Sequence, residues 1–143
     1  MSARLVPTLA AVALAGCWPL PQGFVHDETV AGPYRLVAVD SMEQMLLCRS
    51  FEGSNDCMGD GLPGETIFAA GADDRHLVLA RHPREWPSPP DRRVTEYYYI
   101  VRAPDEARNG PRAVRGPFTA EQFGREKVRL HLPEFSRTFE ELR

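Results

Sequence analysis

Glu96–Tyr97–Tyr98–Tyr99–Ile100–Val101–Arg102 is the stretch on which the fold turns. Five consecutive aromatic or β-branched residues favour a pleated, half-buried backbone over a helix. Along it Tyr97, Tyr99 and Val101 alternate with Tyr98 and Ile100, so one set should face a core and the other should face outward or lie under a helix.

Working back from this strand, His82 to Arg93 carries Pro83, Pro87, Pro89 and Pro90 and must be a loop. Before it, Thr66–Ile67–Phe68–Ala69–Ala70 and His76–Leu77–Val78–Leu79–Ala80–Arg81 flank Gly71–Ala72–Asp73–Asp74–Arg75, which reads as a hairpin connection. Tyr34 to Val39 and Met45 to Arg49 supply two further apolar runs. The connections look like turns rather than helical crossovers, so the strands should run antiparallel. Working forward, Ala103 to Arg112 is a second loop, with Val114 in a short fifth strand. Thr119 and Gln122 are then spaced as a capping box, with Phe118 and Phe123 placed for a hydrophobic staple. The spacing predicts a helix over 119–130, with Phe123, Lys127 and Leu130 on one face and Pro133 beyond its end. The tail from Phe135 to Leu142 fits strand or helix equally.

The 143 residues are enough for one core and too few for two comfortable domains. Net charge is −3, so no global basic field would draw in nucleic acid. Lys127 is the only lysine among 17 basic residues, a bias that a GC-rich genome explains more simply than a recognition role.

The amino-terminal end has a different character. Met1–Ser2–Ala3–Arg4 is short and basic, and Leu5 to Gly16 is uncharged and too short to span a bilayer. The run ends Leu14–Ala15–Gly16–Cys17, which resembles the lipobox of bacterial lipoprotein precursors. The resemblance implies that residues 1–16 are a cleaved signal peptide and that Cys17 is lipidated, anchoring the chain to a membrane. Trp18, standing where an aspartate commonly retains such proteins at the inner membrane, implies the periplasmic face of the outer membrane in a two-membrane cell envelope. Residues 17–31 then read as the lipidated cysteine and a Pro-rich tether, and 32–143 as the globular domain. The fold expected is α+β: a single small domain, an antiparallel β-meander of four to five strands with one C-terminal helix packed on it. Once Cys17 is lipidated, Cys48 and Cys57 are left as a pair, which an oxidising compartment would join in a disulfide.

The parts from Val78 onward, namely His82–Pro83, Tyr97 to Val101, and Gly116–Pro117–Phe118–Thr119 leading into Glu121–Gln122–Phe123, also resemble small uncharacterised secreted bacterial proteins. That resemblance implies no activity.

Catalytic spacings are missing: there is no G-x-S-x-G elbow, no H-E-x-x-H helix and no Gly-rich phosphate loop. Ser54 to Gly61 bears oxygen ligands but lacks the spacing of a calcium loop. His76, His82 and His131 are too dispersed along the chain to suggest zinc, and Asp73–Asp74 suit a hairpin tip. No metal, cofactor or catalytic set is expected. The remaining candidate is a binding patch of Tyr97, Tyr99 and Arg102, since Tyr and Arg are enriched at interface hot spots. The expectation is a non-enzymatic, membrane-anchored lipoprotein that binds a protein or another envelope component, as an accessory subunit or an immunity-type inhibitor. A small periplasmic enzyme using histidines and carboxylates, and a purely structural envelope lipoprotein, are the alternatives.

Overall fold

A computed structural model describes residues 23–143. The expected signal peptide and the lipidation site Cys17 lie outside the described residues. Among the described residues, nine strands form two antiparallel sheets. The first contains β1 (His26–Ala31), β2 (Tyr34–Ala38), β3 (Leu46–Ser50) and β4 (Cys57–Met58), in that order. The second contains β5 (Ile67–Ala72), β6 (His76–Arg81), β7 (Glu96–Val101), β8 (Ala113–Phe118) and β9 (Arg137–Thr138), ordered β8-β7-β6-β5-β9. A four-residue helix, α1 (Glu106–Asn109), interrupts the loop before β8, and the main helix α2 (Ala120–Leu130) follows it.

The structure is thus a small, mostly β, α+β domain. The single meander expected from sequence is instead two sheets, each of them largely a meander, with the tail adding β9 at the β5 edge. A second difference lies at the start. β1 falls within residues 17–31, read from sequence as tether, yet it pairs along β2 from His26 opposite Ala38 to Ala31 opposite Tyr34. Its inward positions hide the signal. His26 meets the Phe139 ring edge-on at 5.0 Å, and Glu28 is held by Arg137 of β9. Polar residues on the packed face leave no apolar alternation to read.

Tyr34, Leu36 and Ala38 of β2, Leu47 of β3, Leu77 and Leu79 of β6, and Tyr98 and Ile100 of β7 belong to one buried cluster drawn from both sheets. Burying each Leu or Ile there contributes roughly 1.5–3 kcal/mol. A second cluster forms under α2, where Val78 and Tyr99 on the other face of the second sheet meet Phe123 and Leu132. The helix begins as its sequence implies: Thr119 Oγ1 accepts the Gln122 amide, and Gln122 Oε1 accepts the Thr119 amide. It ends at His131, in the left-handed region with φ 53°. Among the described residues, no helix is long and apolar enough to cross a membrane.

Candidate functional site

The alternation along β7 settles where the expected tyrosine patch lies. Tyr97 stacks on Phe123 at 5.0 Å, and Tyr99 stacks on Phe118 at 5.7 Å with its hydroxyl donating to Glu126. Burial, then Glu126, pushes the Tyr99 phenol above its ordinary range. Tyr99 is buried beneath α2, Tyr97 is half-covered there, and Arg102 is tied down at the strand end, so these three do not form an open patch. The amphipathic helix needs an apolar partner, and the outward tyrosines are it.

His76 opens β6 and His82 follows its last residue, roughly 20 Å away at about 3.3 Å per residue. His82 is buried, stacked on Phe68, with Nδ1 bonded to the Val94 carbonyl. His131 caps α2. The histidines therefore do not converge. Asp73 accepts the Arg75 and His76 amides, which is turn chemistry. In the 54–61 loop, Ser54 Oγ accepts the Asp56 amide, and no group of three His, Cys, Asp or Glu residues among those described could hold a metal ion. Cys48 and Cys57 lie at disulfide distance, with Cα atoms 5.4 Å apart, joining β3 to β4.

What the fold does bring together lies at its two ends. At one end β1, β6 and β8 meet their neighbours through residues 31–34, 73–76 and 101–113. His76, Val101 and Ala113 stand side by side in register on β6, β7 and β8. The residue just outside each of these positions is an arginine: Arg75, Arg102 and Arg112. The row is stitched by backbone bonds, Arg102 N–H to the Arg75 carbonyl and Arg112 N–H to the Val101 carbonyl.

Arg102 is the anchored member of the row. Its Nε and Nη2 donate to Glu106 Oε1 at 3.0 and 2.7 Å, and Nη1 donates to the Asp73 carbonyl at 2.8 Å. Glu106 also accepts the Ala103 amide at 3.2 Å. Arg49 of β3 reaches across to the Glu106 and Ala107 carbonyls, both at 3.0 Å, and so fixes α1. Gly32, at φ 52°, lets the β1–β2 turn approach, since a Cβ there would stand 2.6 Å from Arg102 Nη2. Arg75 and Arg112 are exposed and make no ion pair among the described residues. The three arginines and His76 line a cleft of about 440 Å³. Sequence could not reveal this row, because it depends on register across three strands.

The opposite end carries exposed apolar side chains among charged ones such as Asp40, Glu85 and Arg93. It gathers the start of β1, the end of β2 and the β6–β7 loop. Phe24, Val25, Val39, Trp86 and Val94 are five of the seven large hydrophobic residues exposed among those described. Trp86 is 80% exposed, yet its loop is braced. Arg84 donates to Glu65 at 3.1 Å and to the Ser88 carbonyl at 2.9 Å while its guanidinium lies 5.9 Å from the Trp86 ring centre. The Asp91 amide closes the loop on the Pro83 carbonyl. The Arg93 guanidinium, bonded to Asp91, holds that carboxyl below its usual range.

The fold and its two ends define a small antiparallel α+β domain, with exposed apolar side chains at one pole and a row of arginines at the other. No family model, curated protein or solved structure matches the chain.

Proposed function

We propose that this is a lipid-anchored, non-catalytic protein of the bacterial cell envelope that rests one pole of its domain against the membrane and offers the other to an envelope partner. The observation that carries the reading is the concentration of exposed apolar side chains at the pole where the described residues begin, at Gly23. Five residues, Trp18 to Gln22, separate Cys17 from Gly23. Even fully extended, they would reach no more than roughly 20 Å. If Cys17 is acylated, Phe24, Val25, Val39, Trp86 and Val94 are therefore held close to the lipid headgroups. Tryptophan favours that interface because its ring is apolar and its N–H seeks a polar partner. A braced loop loses little further freedom when Trp86 docks.

Two measurements test this. With Cys17→Ala, the precursor should accumulate uncleaved and leave the membrane fraction; normal processing would remove the anchor from the reading. Trp18→Phe leaves Trp86 as the sole tryptophan. In lipidated protein on vesicles, its fluorescence should then be quenched by brominated acyl chains and shielded from aqueous iodide. Quenching by iodide alone would place Trp86 in water and overturn the proposed orientation.

A further inference from the structure

We infer that the arginine rim at the pole away from the tether is a binding site for an oxyanion, the carboxylate or phosphate group of a ligand. Arg75, Arg102 and Arg112 stand one residue beyond the paired ends of three adjacent strands, which lie about 4.8 Å apart. Like charges set this closely repel, and a sequence with no use for them there would disperse them. Of the three, Arg102 alone has an ion-pair partner among the described residues, Glu106. That pair, together with the bond from Arg102 to the Asp73 carbonyl, holds the centre of the row rigid. Arg75 and Arg112 stand on either side with their planar donor forks free to close on one group, the geometry in which arginine binds carboxylate and phosphate.

Two further features of the cleft fit an anion. His76 forms part of its wall, where an imidazole N–H can donate to an anion. Of the acids near the cleft, Glu106 is committed to Arg102 and to the Ala103 amide. Asp105 is held below its usual range first by Asn109 and only weakly by Arg112, while Asp74 lines the opening. An oxyanion between Arg75 and Arg112 would relieve the repulsion between two guanidinium groups that form no ion pair among the described residues. The site is built entirely from the folded domain, so it stands or falls independently of the anchor at Cys17.

The test is titration of the full chain in detergent with sodium phosphate, sodium acetate and sodium chloride at constant ionic strength, followed by amide chemical shifts. Saturable shifts at residues 75, 76, 102 and 112 are expected with phosphate, acetate or both, and whichever saturates identifies the ligand group. Arg75→Gln and Arg112→Gln alter exposed side chains and should fold normally. Each should weaken binding roughly tenfold, as expected for loss of one charge-assisted contact. Arg125→Gln, on the exposed face of α2, should leave it unchanged. Shifts that never saturate, that chloride reproduces, or that survive Arg112→Gln undiminished would overturn the proposal.

Discussion

Arg102 and Glu106 form an ion pair that is almost closed to water, with the carboxylate only 6% exposed and Nη2 2.7 Å from Oε1. Around it meet the β1–β2 turn at Gly32, the end of β3 at Arg49, the β5–β6 turn at Asp73 and helix α1. One pair thus ties the first sheet to the second at the arginine-rimmed pole.

Removing one member should be costly because it leaves the other charge buried and alone. Glu106→Ala is expected to lower unfolding stability by about 3–5 kcal/mol. Arg102→Met with Glu106→Leu should lie closer to the natural chain than Glu106→Ala does, because no charge is then left unpaired. Urea unfolding of the set decides this. A double variant no better than the sum of its parts would mean the pair's role lies in its backbone contacts alone.

Gly71 sits in β5 where the segment after α2 crosses the sheet. A Cβ there would stand 2.0 Å from the Glu134 carbonyl oxygen and 3.1 Å from the Phe135 Cα. Both are backbone atoms and cannot swing aside. Gly71→Ala should therefore cost about 3 kcal/mol, at the upper end for overpacking, and should lift residues 134–138 from the sheet. Hydrogen exchange at Ser136, whose amide donates to the Ala70 carbonyl, is the local readout.

Cys48 is buried in β3, whereas Cys57 begins the two-residue β4, an element with little packing of its own. The loop between them holds Gly53, Ser54, Asn55 and Asp56 and buries almost nothing. Closing about ten residues should contribute roughly 2.7 kcal/mol through the unfolded chain. Cys48→Ala with Cys57→Ala should lose about that much in denaturant unfolding. It should also speed exchange over residues 50–60 while leaving β6 and β7 protected.

The helix and most strands are legible in the sequence because their signals are local. The Thr119–Gln122 box, the alternation of Tyr97 to Val101 and the turn at Asp73 each depend on residues a few positions apart. What is illegible depends on distant pairing. β1 is concealed because its inward His26 and Glu28 find polar or aromatic partners more than a hundred residues away, at Phe139 and Arg137. The tyrosine patch fails for a related reason: periodicity tells which residues share a face but leaves open whether that face is exposed or lies under α2, where the fold puts it. The arginine row has no sequence pattern at all, since 75, 102 and 112 become neighbours only once β6, β7 and β8 are in register.

Tyr34 links the buried ion pair to pH. Its side chain is wholly enclosed, and its hydroxyl lies beside Glu106 without a hydrogen bond of sound geometry. Burial first, and then the negative charge of Glu106, drives its phenol well above the ordinary value of 10.0. Because the folded-state value is raised, the neutral phenol's contribution is fully present below about pH 10 and is lost as pH rises through the folded value. Stability should accordingly decline above pH 10, with ionisation of the enclosed phenol opposed until the fold gives way. Tyr98 and Tyr99 are shifted the same way, chiefly by burial, so Tyr34→Phe should flatten that decline without abolishing it. At neutral pH the same variant removes an unpartnered buried hydroxyl and keeps the ring, so it should be neutral or more stable by about 1 kcal/mol. Thermal unfolding from pH 7 to pH 11 on both proteins is the measurement. An unchanged alkaline slope in Tyr34→Phe would show that Tyr34 does not govern it.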